Sequence, residues 1–266
     1  MNPLLNIVAN ITEKAGTTIA ALPLPVPTRK ANGSWCSAAD QLAHQYIRQA
    51  LAQCPVAGQY YPILSEEMAI LPDLATREQW SHYWCVDPLD GTQDYLAQTK
   101  DYAVCIALIR QGQPWLGAIY LPAIRKSYVA QQGVGAYQRS LNGPWHPLHT
   151  AQAAQPLRVL ISRFHRPHAL IAQLPKTVRC IEQGSARKFC SLAEGEADLI
   201  LAGPGRYEWD TAAGHCILAE AGGKILALNG NAFPTYNQNA TFKVPAFLAC
   251  GDLNLACEHW FSDFQA

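Results

Sequence analysis

Leu4, Leu5, Val8, Ile11, Ala15 and Ile19 recur every three to four residues. That spacing lays one apolar stripe along a helix, so residues 3–21 are predicted helical. Alternating prolines over 22–27 force the chain out of the helix. A turn-rich loop follows, Lys30-Ala31-Asn32-Gly33-Ser34-Trp35-Cys36-Ser37. Leu42, Ala43, Tyr46, Ile47, Ala50 and Leu51 then predict a second helix starting at Ser37, where Ser37-Ala38-Ala39-Asp40 reads as a capping box. The pattern changes to short apolar runs: a strand over 60–64 ending on Ser65-Glu66-Glu67, a short helix over 75–82, and a strand over 83–86. Residues 103–109, 115–120 and 127–130 read as strands, with Gln111-Gly112-Gln113-Pro114 as a hairpin turn and a bend at Gly133 and Gly135.

Three prolines in 141–156 mark a change of texture. Beyond them strands at 158–162, 177–181 and 197–201 alternate with helices at 167–174, 185–194 and 210–221, before closing strands at 224–228 and 246–249. The expected organisation is an α+β lobe over 1–150 and an α/β lobe over 151–266. The proline between His146 and His149 argues against a shared helical face for a metal.

The chain has 266 residues, enough for one large domain or two lobes sharing a core, and carries 20 basic and 20 acidic side chains. A net charge of zero argues against nucleic-acid or membrane-surface binding by bulk electrostatics, and no apolar run reaches spanning length. The start lacks a basic segment before an apolar one and does not read as a secretory signal. The nine cysteines are scattered without a Cys-x-x-Cys pair, the pattern of reduced thiols in a cytoplasmic protein.

The densest chemistry lies in Trp84-Cys85-Val86-Asp87-Pro88-Leu89-Asp90-Gly91-Thr92-Gln93-Asp94-Tyr95. An apolar strand runs into a polar turn stiffened by Pro88 and freed by Gly91, holding two carboxylates three residues apart. Hard oxygen ligands for Mg²⁺ beside backbone donors for a phosphate is one reading; a plain surface turn is the other. The same ambiguity holds elsewhere. Asp40 suits a helix cap, Glu66-Glu67 a solvated loop, and Asp210 in Glu208-Trp209-Asp210-Thr211-Ala212-Ala213-Gly214 either an N-cap or a carboxylate ligand facing an anion.

Taken jointly, a Glu-Glu pair, Asp-Pro-Leu-Asp-Gly-Thr and Trp-Asp-x-Ala-Ala-Gly in this order resemble the signatures of the lithium-sensitive, magnesium-dependent phosphomonoesterases, the inositol monophosphatase superfamily. The resemblance spans nearly the whole chain. It implies a layered αβαβα sandwich with the site between two lobes. It also implies two or three Mg²⁺ ions held by Glu66, Asp87, Asp90, Asp210 and the carbonyl of Leu89. By the same match Thr92 and Glu66 orient the attacking water, Asp40 supports them, Glu67 stands behind, and the N–H groups of Gly91 and Thr92 hold the phosphate.

Within that superfamily, Gly184-Ser185-Ala186-Arg187-Lys188-Phe189-Cys190 is similar to the Gly-Ser-Ser-x-Lys-Phe-Cys segment of the 3'(2'),5'-bisphosphate nucleotidases of the CysQ type. Leu160-Ile161-Ser162-Arg163-Phe164-His165 resembles their Ile-Ser-Arg-Ser-His. The match implies that Ser162, His165, Gly184 and Lys188 hold the adenosine 5'-phosphate part of adenosine 3',5'-bisphosphate, a small-molecule substrate. Asn32-Gly33-Ser34-Trp35-Cys36-Ser37 departs from the nucleotidases' Asp-Asn-Ser-Pro-Val-Thr, and Ala186 and Phe164 each replace a serine. The rival expectations are an inositol or sugar phosphatase of the same fold and a non-catalytic nucleotide-binding regulator.

Overall fold

The first apolar stripe forms α1 (Pro3–Ala21), which opens on a proline with Asn2 as its cap, the Asn2 side-chain oxygen accepting from Leu4 N at 3.0 Å. The computed structural model describes residues 2–24, 26–29, 35–228, 233 and 235–252. Next come β1 (Thr28–Arg29) and β2 (Trp35–Cys36), an antiparallel pair, and α2 (Ala38–Leu51) with the expected capping box. After β3 (Ile63–Ser65) comes α3 (Leu74–Arg77), capped by Asp73. The helix anticipated over 75–82 ends early. Arg77 is fully buried against the Phe242 ring, and Ser81 O accepts from Gln111 N at 2.8 Å, which draws the chain into a sheet edge.

Then follow β4 (His82–Asp90), α4 (Thr92–Leu96), β5 (Ala103–Arg110), β6 (Gln113–Leu121), β7 (Lys126–Gln131), β8 (Gly135–Ser140) and β9 (His146–Leu148). They form one seven-stranded sheet in the order β3-β4-β5-β6-β7-β8-β9, antiparallel except for the β3–β4 pair. The remainder supplies β10 (Arg158–Ile161), α5 (His168–Ile171), β11 (Arg179–Glu182), α6 (Arg187–Ala193), β12 (Leu199–Ala202), α7 (Glu208–Glu220), β13 (Lys224–Ala227) and β14 (Phe247–Cys250). Its five strands lie in the order β11-β10-β12-β14-β13, with β10 parallel to β11 and β12 and β14 antiparallel to both its neighbours.

Burial sorts these elements into five layers. Leu5, Val8 and Ile19 of α1 and Ala43 and Ile47 of α2 cover one face of the large sheet against Trp84, Val104, Ile106 and Leu108. Tyr83, Cys105, Ile119 and Tyr128 point to the other face, where they meet Phe189 of α6 and Trp209, Ala213 and Ile217 of α7. Those helices rest in turn on Leu160, Ile200 and Ala249 of the small sheet, whose far side packs under Leu170 and Ile171 of α5. This is the αβαβα order the resemblance implies. The two halves share the middle layer. Gly117 makes that closeness possible, because a Cβ there would lie 2.5 Å from the carbonyl oxygen of Ala213 on α7.

Candidate active site

β4 carries the first acids, and it is longer than its sequence suggests. The strand expected to stop at Val86 runs on through Asp90. β3 ends opposite Val86, so beyond that point β4 pairs only with β5, through a register shift between Asp87 and Asp90. At such an irregular edge the missing N–H of Pro88 breaks no ladder. Asp87 Oδ1 accepts from Leu89 N at 3.0 Å, and Gly91, at φ +84°, turns the chain into α4. A bulge, rather than a free-standing turn, therefore presents Asp87 and Asp90.

Two further elements complete the cluster. Glu66 follows β3, and its N–H donates to Val86 O at 3.2 Å, which sets it beside Asp87. Asp210 stands in the first turn of α7, its Oδ2 accepting from Tyr207 N at 2.9 Å. The helix begins at Glu208, so Asp210 is the third helical residue and not the N-cap that local sequence also allowed. Carboxylate oxygens of Glu66, Asp87 and Asp210 lie within 4.8 Å of one another. Asp90 lines the same cavity, of about 440 Å³, together with Leu89, Gly91 and Thr92, and its Oδ2 accepts from Ala186 N.

Burial raises the carboxyl of Asp210 far above the usual range, and the charges of Asp90 and Glu66 raise it further. Asp90 is also raised, by burial first, against the opposing pull of Lys188, the Ala186 N–H and Arg206. Crowded carboxylates of this kind are relieved by a bound cation. The cluster offers only carboxylate oxygens, the donor set of a hard divalent ion.

Asp40 does two jobs at once. Its Oδ2 accepts from Ser37 N at 2.7 Å and Ser37 Oγ at 2.6 Å, closing the start of α2. Its Oδ1 accepts from Thr92 Oγ1 at 3.0 Å. The cap and the partner of Thr92 are the same side chain. Glu67 lies behind the wall, where Oε2 accepts from Gln41 Nε2 at 2.7 Å and faces Cys36 Sγ at 3.4 Å.

The same cavity also carries cations. Lys188, Arg29 and Arg206 line it, with Ser162 and His165. Lys188 Nζ donates to Ser185 O at 2.8 Å; burial, then Arg206, push its ammonium down to about 8, against the pull of Asp90, Asp94 and Asp101. His165 is held below its ordinary value by burial and by Arg206 and Lys188. Gly184 does not line the cavity. It lies behind, where a Cβ would come 2.1 Å from Asp94 Oδ2.

Sequence reasoning overlooked Arg29, Asp94, Phe164, Arg206 and Tyr207, all of which line the cavity. A signal existed for Arg206, an arginine in Gly203-Pro204-Gly205 context four positions before Asp210. None existed for Arg29, which only tertiary folding brings there. Of the departing loop, Asn32, Gly33 and Ser34 lie outside the described residues, while Trp35 and Cys36 form β2 and Ser37 is the cap.

Five layers and a carboxylate cluster between the large sheet and α7 define a layered α/β sandwich with a candidate metal site. The model of the inositol monophosphatase family matches residues 9–255, and the chain belongs to that family. It is 34% identical to the 3'(2'),5'-bisphosphate nucleotidase CysQ of Salmonella typhimurium over 251 residues, covering 92% of this chain and 98% of that protein. The same figures hold for CysQ of Escherichia coli strain K12. Among solved structures, CysQ from Bacteroides thetaiotaomicron superposes with a TM-score of 0.77 at 31% identity, covering 92% of this chain and 97% of that one. An IMPase from Thermotoga maritima reaches 0.78 at 20% identity over 97% of this chain and 95% of its own, and shares the fold.

Proposed function

We propose that this protein is a Mg²⁺-dependent 3'(2'),5'-bisphosphate nucleotidase, removing the 3'-phosphate of adenosine 3',5'-bisphosphate to leave AMP and phosphate. The observation that carries this reading is the mixed lining of one cavity: Glu66, Asp87, Asp90 and Asp210 share it with Lys188, Arg206, Arg29 and His165. A ligand with two phosphates has a use for cations beyond the acid cluster, whereas an inositol monophosphate has no second phosphate to offer them. The cavity volume of about 440 Å³ falls in the range of small-molecule sites. The 34% identity to CysQ nucleotidases supports the same choice, and the sulfated nucleotide 3'-phosphoadenylyl sulfate is a second candidate for the same cavity.

Phosphomonoester hydrolysis can need acceleration of up to about 10²¹-fold, against about 10²–10⁴-fold from one acid or base. Mg²⁺ ions held by Glu66, Asp87, Asp90, Asp210 and the Leu89 carbonyl would supply a strong nucleophile at neutral pH and neutralise the phosphoryl and leaving oxygens. Around them the chain's own groups set direction. Thr92 gives its proton to Asp40, so its Oγ1 lone pairs are left to accept an O–H from the attacking water. Ser37 fixes Asp40 and thereby the hydroxyl. Glu66 accepts the water's other proton. Ser162, His165 and Lys188 hold the part of the nucleotide that does not react.

All eight described cysteines are free and only Cys180 is exposed, which supports a reducing, cytoplasmic setting. Among the described residues no helix is long and apolar enough to cross a membrane.

The test is a substrate panel with purified protein in Mg²⁺. Adenosine 3',5'-bisphosphate is expected to exceed inositol 1-phosphate in kcat/KM by about 100-fold, near what a lost charge-assisted contact or two is worth. Preference for the inositol ester overturns the nucleotidase assignment, and binding of the nucleotide without phosphate release turns the reading to a regulator.

A further inference from the structure

Asp101 lies between α4 and β5, is 4% exposed, and is not among the residues lining the cavity. Its carboxylate nevertheless gathers three donors from the other half of the molecule. Arg163 Nη1 stands 2.9 Å from Oδ2, Gly184 N donates to Oδ2 at 2.8 Å, and Arg187 Nη1 donates to Oδ1 at 2.8 Å. The backbone carbonyl of Asp101 also accepts from Ser185 Oγ. Asp94 shares the load, accepting from Arg163 Nη1 at 2.7 Å and from Thr99 Oγ1 at 2.8 Å, while Thr99 Oγ1 accepts in turn from Asp101 N at 3.2 Å.

The donors are not scattered. Arg163 sits between Ser162 and His165, while Gly184 and Arg187 sit on the segment that leads into Lys188. The two segments that bear Ser162, His165 and Lys188 are thus moored at one carboxylate, and that carboxylate belongs to the half that holds the Asp87–Thr92 stretch. A general role in folding explains this poorly. α6 is already anchored by Phe189 and Cys190 in the shared core, whereas Phe164 to Arg166 are exposed and held otherwise by a 3.4 Å bond from His165 N to Ser162 Oγ, the Arg166–Glu182 ion pair at the surface and the bond of His168 N to Arg166 O. The charge balance points the same way. Arg163 and Arg187 occupy the two carboxylates, and among the described residues Lys188 Nζ donates to backbone carbonyls, those of Ser185 and Gln183. Its charge is left facing the cavity.

We infer that Asp101 is a positioning residue for substrate recognition: through Arg163, Gly184 and Arg187 it fixes the segments bearing Ser162, His165 and Lys188 relative to the Asp87–Thr92 stretch. It thereby sets the affinity for the unreactive part of the substrate. This inference rests on the nucleotidase reading.

The test compares wild type with Asp101→Asn for adenosine 3',5'-bisphosphate turnover and for inhibition by inorganic phosphate, the probe of the reacting-phosphate position at the Asp87–Thr92 stretch. Asp101→Asn weakens three charge-assisted bonds, so KM for the nucleotide is expected to rise roughly tenfold or more. kcat should stay within about threefold and the phosphate inhibition constant within about twofold, a split that a loss of general stability would not produce. Should that variant not fold, Arg163→Gln removes one of the three bonds and is expected to raise KM about threefold with the same split. An unmoved KM, or KM and the phosphate constant rising together, overturns the inference alone. A wild type without activity on the nucleotide overturns the nucleotidase reading and this inference with it.

Discussion

Thr92 Oγ1 donates to Asp40 Oδ1 at 3.0 Å, joining two residues 52 positions apart, while the other oxygen of Asp40 closes the first turn of α2. The direction of the hydroxyl is therefore fixed by a helix end. Thr92→Val is expected to lower kcat about 10²-fold or more with KM within about threefold, and Thr92→Ser to retain most activity. Steady-state kinetics check this; a fully active Thr92→Val removes the hydroxyl from the reaction.

The acid cluster predicts a trade between stability and function. Burial and the charges of Asp90 and Glu66 raise Asp210, so the metal-free protein carries repulsion that folding must absorb. Asp210→Asn keeps an acceptor for the Tyr207 N–H and removes the cost of burying an ionisable carboxyl beside Asp90 and Glu66. In chelator its Tm is expected to rise by about 2–4 °C, equivalent to about 1 kcal/mol in a chain of this size. In Mg²⁺ the wild type gains stability by binding, while the variant gains little and has lost activity. Thermal unfolding with and without Mg²⁺ measures both arms.

His215 provides a pH dependence remote from the acids. Its Nδ1 lies 3.1 Å from Tyr236 Oη, its ring meets Phe233 edge-on at 5.4 Å, and burial pushes it down to about 4 from 6.5. The unfolded chain takes up this proton at higher pH than the folded one. Stability from the neutral ring is thus complete above about pH 6.5, falls as pH drops, and is lost once pH passes through about 4. The loss is on the order of 2 kcal/mol for a half-buried ring. Tm measured from pH 7.5 to 4.5 should fall less steeply in His215→Gln.

Asp198 is the contrasting, purely structural carboxylate. Burial works against its charge, but Arg158 and the N–H groups of Arg158 and Ala154 outweigh it and hold the carboxyl below the usual range. Asp198→Asn removes the charged partner of the partly exposed Arg158, which keeps its bond to Gly195 O, at a cost of about 2–3 kcal/mol. Denaturant unfolding should show that loss with kcat and KM of the folded protein unchanged, unlike Asp101→Asn.

How much of this was legible in the sequence depended on whether a signal is local. Apolar spacing gave α1 and α2, and Ser37 with Asp40 gave the cap, because helix periodicity and end chemistry act within a few residues. The acids Glu66, Asp87, Asp90 and Asp210 were legible as motifs, yet their convergence comes from α7 crossing the large sheet at Gly117, a contact between distant residues. The run of β4 through Pro88 was hidden for the same reason: a proline is tolerated there only because β3 stops at Ser65. Arg29 and the mooring at Asp101 are also products of tertiary placement.

The central claim is that Glu66, Asp87 and Asp210, with Asp90 beside them, form one divalent-metal site. Anomalous diffraction from crystals soaked in Mn²⁺ tests it most directly. The account predicts a strong peak within about 2.0–2.4 Å of carboxylate oxygens from at least three of those residues. Full Mn²⁺ exposure with no peak at the cluster, in a protein active under the same conditions, would contradict it.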